Sequence, residues 1–424
     1  MTITHTQVLI VGAGVSGLSS AQILKEKGVT HLVLEQAHKP GGLIKCDTVN
    51  GHLFHRVGGH VFNTKVEKVN KWFWSHFDQN HEFINARREA AIFMHDQLLG
   101  YPLENHLYRF DEDTVRKIFN EIMDLDRKGY QSPHVYDNFE AFLQGNFGHT
   151  LYELYFKPYN HKIWKTDLSL VALPWLDGKL PMPNYREMVI SNILRSGEQQ
   201  MVHSSFFYPK HNGSQHIADR LSAHVHLQTD MPVKSIEKTA SHWVVNGNIK
   251  TEAIIYTGDV RKLASMMHGV TNDLKDLAGQ LTTLKSNGTS NLLCETDPCN
   301  LSWLYLPEAQ TQAHRIIYTG NFSPSNQPVN SRKSCTVEFS GEVPVSMMEH
   351  QLSLLPGNLK MIDYNYEPNS YVIQQKGDRD KINELKAKLR PQNFFLVGRF
   401  AEWEYHNMDK AIESAMNTVS QIEL

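Results

Sequence analysis

A mixed α/β fold, with one domain shared between the two chain ends, is predicted for this sequence by three observations. Near the start, the β-branched run Val8-Leu9-Ile10-Val11 enters Gly12-Ala13-Gly14-Val15-Ser16-Gly17 and then a helical pattern through Leu24. Near the end, Val397-Gly398-Arg399 closes a strand, and the segment through Asn407-Met408 opens a helix carrying Ala411, Ile412, Ala415, Met416 and Val419 at helical spacing. Between them the apolar pattern changes from helical, to α/β, to the short strands of an antiparallel sheet.

The first segment continues into Leu32-Val33-Leu34 and Glu35, which completes the order strand, G-x-G-x-x-G, helix, strand, acid. That order is Rossmann-like. Gly12, Gly14 and Gly17 permit a tight turn and close backbone approach, the helix N-terminus receives a pyrophosphate, and Glu35 accepts from a ribose hydroxyl. Two more glycine pairs follow, Gly41-Gly42 and Gly58-Gly59, the second just before His60. They let the backbone pass close to a bulky buried cofactor, which favours FAD over NAD. His60 stands where backbone and cofactor would meet; a plain buried, hydrogen-bonded histidine is the alternative.

The FAD-binding domain is therefore assigned to residues 1–64, 200–285 and 385–424. Residues 65–199 read as a mainly helical insertion, with helices over 69–77, 112–126, 138–143 and 151–164 punctuated by prolines. Residues 286–384 read as an antiparallel sheet domain for substrate, and a helix over 378–389 leads back to the C-terminal strand.

Composition excludes several function classes. Of 424 residues, 42 are Lys or Arg and 45 Asp or Glu, a net charge of −3, so no global field points to nucleic acid or an acidic membrane surface. No apolar run approaches the roughly 18 residues of a membrane span. The first strand begins almost at the N-terminus, which leaves no room for a signal peptide and makes the cytoplasm the expected location. Cys46, Cys294, Cys299 and Cys335 lack metal-ligand spacing and read as reduced thiols. His52, His55 and His60 are close in sequence, but the apolar residues among them fit a strand and turn better than a metal site, so no metal is expected.

A closer resemblance is carried by segments spread along the chain: Gly58-Gly59-His60-Val61-Phe62, Tyr101-Pro102-Leu103, Tyr159-Asn160-His161-Lys162-Ile163-Trp164, Trp303-Leu304-Tyr305-Leu306-Pro307-Glu308, Arg315, Tyr371, and Gly398-Arg399 with Trp403, Tyr405 and Asn407. Over nearly its whole length the sequence resembles the UDP-galactopyranose mutase family, within the wider group of amine-oxidase and protoporphyrinogen-oxidase flavoproteins. The resemblance implies an FAD-dependent nucleotide-sugar mutase, an intramolecular transferase that interconverts pyranose and furanose rings. In that family the N5 of reduced FAD attacks the sugar and forms an adduct with it.

The substrate so implied is a nucleoside-diphosphate sugar, and the flavin needs an external reductant such as NAD(P)H or a reductase; an oligomer is compatible with all of this. A diphosphate leaving group calls for fixed cations and phenolic donors. The resemblance places Arg315, Tyr305, Tyr371 and Tyr405 around it, with Tyr101, Asn160, Lys179, Trp164 and Trp303 lining the substrate. His60, Gly398, Arg399, Asn407 and Met408 are placed at the flavin. Lys179 stands where an arginine is expected, Glu104 where an amide is usual, and Asn63 where bacterial mutases carry a second histidine. An FAD-dependent oxidase or dehydrogenase of the amine-oxidase or protoporphyrinogen-oxidase type would share the N-terminal fingerprint but would not need these cations.

Overall fold

Strand Thr4–Val11 lies inside an eight-stranded sheet, paired in parallel with His31–Leu34 on one side and Ile249–Tyr256 on the other. The computed structural model describes residues 3–129, 135–173, 184–195 and 205–423. A strand covered on both faces has no solvent side, which is why Val8, Leu9 and Ile10 form an unbroken apolar run and are all fully buried. Ile249–Tyr256 also pairs in parallel with Phe394–Leu396, so both chain ends and the middle of the chain build one sheet. Helices Val15–Glu26 and Met408–Val419 pack together on one face through Leu18, Ala21, Ile412, Ala415 and Val419. This is the shared domain that the two terminal motifs predict.

The second sheet has seven strands in the order Lys360–Ile373, Lys285–Thr296, Lys333–Ser340, Ala313–Ile317, Trp303–Tyr305, Ala90–Met94 and Gln97–Gly100. Trp303 and Tyr305 face one side and Leu304 the other, the period-2 alternation of a strand between two cores. The sheet is antiparallel except where Ala90–Met94 runs parallel to Trp303–Tyr305.

Two sequence expectations need correction. The mainly helical insertion over 65–199 also holds strands that the helical reading did not place: Phe83–Arg87 pairs with Ser205–Pro209, and Ala90–Gly100 is a hairpin that extends the second sheet. Its turn residues, His95 and Asp96, both take positive φ, so the turn lacks the Asn-Gly or Asp-Gly signature that would mark it. The boundary at 384/385 also cuts a helix. Asp378–Leu389 is continuous and buries Ile382, Leu385 and Leu389 in the core of the first domain, so the sheet domain ends before Asp378.

Two of the insertion's helices start at side-chain caps. Asp111 accepts from Thr114 N and Asn138 from Ala141 N, both at 2.9 Å, at the heads of Glu112–Lys128 and Phe139–Phe147. Their buried faces, Ile118, Ile122, Phe142, Leu143 and Phe147, pack in one cluster with Ile92, Trp303 and Tyr305 of the second sheet. The insertion thus covers the sheet face that carries the candidate substrate residues.

Candidate active site

A cleft of about 330 Å³ runs past the carboxyl ends of Thr4–Val11 and His31–Leu34, lined by Gly12, Gly14, Glu35, Gly41, Gly42, Arg399, Asn407 and Met408 among others. Ligands of open α/β sheets bind at this edge. Helices Val15–Glu26 and Met408–Val419 begin here, and neither Gly14 nor Asn407 supplies a side-chain cap. Their first backbone N–H groups therefore remain available to an anion. Glu35 is buried and accepts from Ala13 N at 2.7 Å and Ala37 N at 2.9 Å. Each carboxylate oxygen keeps a further lone pair for a ribose hydroxyl.

The three fingerprint glycines divide the work by geometry. A Cβ on Gly17 would lie 2.0 Å from Gly12 O, so the helix can pack only against a bare backbone there. Gly12 has φ +100°, and its Cβ would meet Thr257 Oγ1 at 2.4 Å. A Cβ on Gly14 would meet only Gly42 Cα, at 3.8 Å. The fold itself does not require glycine at 14. The space beside it is a cradle that a side chain would fill, and with the uncapped helix ends it fits an extended dinucleotide.

A second cavity, of about 230 Å³, shares His60, Arg399, Asn407 and Met408 with the cleft. Its other walls include Gly58, Gly59, Arg88, Trp303, Tyr305, Arg315, Glu338, Tyr371 and Tyr405. The second sheet delivers most of them. Tyr305 and Arg315 are direct cross-strand partners, as a strand, turn and returning strand ten residues apart would make them, and the next strand sets Glu338 opposite Arg315. Arg315 donates to Glu338 and, at 3.1 Å, to the Tyr371 hydroxyl. Tyr371 stacks on Tyr405 with ring centroids 5.7 Å apart. Arg399 lies 4.5 Å from the Tyr405 ring centroid and donates to the carbonyls of His406 and Ser370.

Electrostatics fix the protonation states. Burial opposes ionisation of Glu338, but the Arg315 guanidinium overrides it and holds the carboxyl down at about 2. Burial, reinforced by Arg399, pushes His60 down to about 4, so its ring is neutral at pH 7. Burial likewise raises the Tyr371 phenol, which stays a hydrogen-bond donor. Four polar atoms at the cavity are buried without a partner among the described residues: Glu338 Oε1, His60 Nε2, Arg88 Nε and Ser370 Oγ. Orphans of this kind are rare in folded proteins, and a ligand rich in hydroxyl and anionic groups would satisfy them.

Of the residues expected around substrate, Trp303, Tyr305, Arg315, Tyr371 and Tyr405 come together here, joined by His60, Arg399 and Asn407 from the set expected at the flavin. Three others stand outside the lining. Tyr101 stacks behind Tyr305 at 4.8 Å. Trp164 is buried in the core, edge-on to Tyr371, so it offers no free face to a sugar or base. Asn160 donates to Phe156 O at 2.7 Å within its own helix. Lys179 lies outside the described residues. Sequence reasoning missed Arg88 and Glu338. Glu338 has a signal in retrospect, an acid inside the apolar run Thr336-Val337-Glu338-Phe339; Arg87-Arg88-Glu89 looks like any solvated turn.

Fold and site together define a Rossmann-type α/β protein whose cleft has the shape and backbone donors for a dinucleotide, with an adjoining cavity suited to a polar, anionic ligand. Residues 10–78 match the family of NAD(P)-binding Rossmann-like domains. Along its whole length the chain is similar to UDP-galactopyranose mutases. The enzyme of Mycoplasma genitalium is 21% identical over 449 aligned positions, covering 100% of this chain and 96% of its own. A solved structure of reduced UDP-galactopyranose mutase superposes with a TM-score of 0.86 at 19% identity, over 98% of this chain and 95% of that one. A putative protoporphyrinogen oxidase from Exiguobacterium superposes with a TM-score of 0.73 at 12% identity, over 99% and 98% of the two chains. The fold is that of the mutase structure. Among the described residues no helix is long and apolar enough to cross a membrane.

Proposed function

We propose that this protein is an FAD-dependent nucleotide-sugar mutase, interconverting the pyranose and furanose forms of a UDP-galactose-like substrate in the cytoplasm, with the flavin kept reduced by NAD(P)H or a reductase. The observation that carries the reading is the composition of the second cavity where it opens on the cleft: three guanidiniums, Arg88, Arg315 and Arg399, interleaved with three phenols, Tyr305, Tyr371 and Tyr405. Such walls suit a diphosphate leaving group, which needs charge and hydrogen-bond donors that strengthen as negative charge develops.

Gly12, Gly14 and Glu35 would hold the nucleotide end of FAD, with His60, Arg399, Asn407 and Met408 at the wall shared by both spaces. When bound and reduced, the flavin supplies a nucleophile for the sugar. The chain's own residues do the rest. Arg315 and Tyr371 form a donor pair that orients the diphosphate, and the Tyr305 hydroxyl on the facing strand offers it a further donor. Glu338 Oε1 and neutral His60 Nε2 are acceptors for sugar hydroxyls, which fixes the ring's orientation. Trp303 gives the cavity one flat apolar wall.

The direct test incubates dithionite-reduced, FAD-loaded protein with UDP-galactopyranose and separates the ring isomers by chromatography. Furanose product is expected from the reduced protein and not from the oxidised one. No isomer, with hydrogen peroxide released from an amine or porphyrin substrate instead, would replace this reading with an oxidase.

A further inference from the structure

Arg88 sits on the short connection between strands Phe83–Arg87 and Ala90–Met94 and reaches into the second cavity. Its guanidinium lies 5.4 Å from the ring centroid of Tyr101 and 5.2 Å from that of Trp303, and it donates to the Tyr305 hydroxyl. Its Nε is buried with no acceptor among the described residues. The other two arginines of the cavity are better compensated: Arg315 by Glu338, and Arg399 by three bonds to backbone carbonyls. Among the described residues no carboxylate pairs with Arg88. Asp409, the cavity's other acid, stands at the first turn of the C-terminal helix and is not bonded to it.

A guanidinium drawn out of water is stable only if an anion or several acceptors replace its hydration. Two ring faces and one phenol hold Arg88 in a fixed direction but leave its charge uncompensated. Tyr305 contributes in turn, because its oxygen is taken up by Arg88 while its proton can still be donated to a ligand.

We infer that Arg88 is an oxyanion-binding side chain of this cavity, pairing with a phosphate or carboxylate oxygen of the bound nucleotide sugar while Tyr305, Tyr101 and Trp303 orient it. The inference rests on the nucleotide-sugar reading and adds to it a specificity-determining cation outside the Arg315 pair. Arg315 arrives already neutralised by Glu338, so the charge attraction for ligand falls more heavily on Arg88.

The experiment titrates FAD-loaded wild type, Arg88→Met and Arg88→Lys with UDP, UDP-galactose and UDP-galacturonate. Arg88→Met keeps the apolar stem that packs between the rings and removes the charge. We expect it to weaken binding by roughly tenfold or more and to flatten the dependence of binding on salt, with flavin content unchanged. Arg88→Lys should recover part of the affinity, since it restores charge without the planar fork, and it keeps the test available if the Met variant folds poorly. Loss with all three ligands assigns the oxyanion to the diphosphate; loss confined to UDP-galacturonate assigns it to a sugar carboxylate. Unchanged affinity for all three in both variants, with wild type binding, overturns the role of Arg88 alone. A wild type that binds none of them overturns the nucleotide-sugar reading and this inference with it.

Discussion

Arg315 and Glu338 show how one residue carries two separable duties. Their ion pair is buried, Glu338 being 0% exposed, so deleting one partner strands the other. Arg315→Ala should therefore weaken UDP binding by about ten- to hundredfold and also cost about 3–5 kcal/mol of stability. Adding Glu338→Gln should restore most of the melting temperature without restoring affinity, which thermal melts and UDP titrations on the same samples would separate. His55 and His60 act on stability in another way. Both have ordinary values of 6.5, and burial lowers them to about 3 and about 4 in the folded protein. Between pH 6.5 and about 4 the unfolded chain thus binds protons that the fold refuses. Stability should fall as pH drops through that window, by up to about 1.4 kcal/mol per pH unit per histidine. Glu338 contributes little to this slope above pH 4.5. Its depressed value stabilises the fold fully above the ordinary carboxylate value of 4.5, and that stability is lost progressively as pH falls from there to about 2. Urea midpoints at pH 7 and pH 5 should differ accordingly, and less so in His60→Asn; a flat profile would mean that both histidines are charged in the fold.

Among the elements, the strand-turn-helix at the N-terminus was fully legible, because every feature of it serves a local purpose. Its glycines now make a sharper prediction than their motif did. Gly14→Val adds a side chain where the fold has room and the ligand needs it, so the protein should fold, stay cooperative and emerge without its yellow colour. Gly17→Ala should instead destabilise the domain, since its Cβ would fall 2.0 Å from Gly12 O. Flavin absorbance together with a melting curve distinguishes the two outcomes, and loss of fold in Gly14→Val would show that position 14 is structural after all. The Tyr305–Arg315 ladder was legible for the same local reason, a strand and its return. What stayed hidden depended on distant partners. Glu338 occupies an alternating strand position that normally faces solvent, and only the neighbouring strand turns that face into a cavity. The hairpin Ala90–Gly100 gave no turn signal, so Arg88, which it anchors, could not be placed. Trp164 is placed at the ligand by the resemblance alone, and the structure packs it one layer behind, edge-on to Tyr371.

At the scale of the whole molecule, the scaffold is silent about the reaction: the same architecture superposes on a mutase and on a putative protoporphyrinogen oxidase with comparable coverage. The chemistry must be read where the two sheets meet, at the wall of His60, Arg399, Asn407 and Met408 that the cleft and the cavity share. An amine substrate entering that cavity would meet Arg88, Arg315 and Arg399 against the two carboxylates of Glu338 and Asp409, an excess of positive charge that disfavours a cation and attracts a diphosphate. A porphyrin would need a more apolar space than one lined by arginines and tyrosines. We therefore expect turnover to require a reduced flavin but to leave it reduced, so that many product molecules form for each equivalent of reductant supplied. The measurement follows furanose product, NAD(P)H oxidation and hydrogen peroxide in one anaerobic and one aerobic reaction. An oxidase would tie each product to one equivalent of oxidant and stop without oxygen. A mutase would run undiminished in its absence, and in air the slow loss of reduced flavin would lower the rate without changing the product.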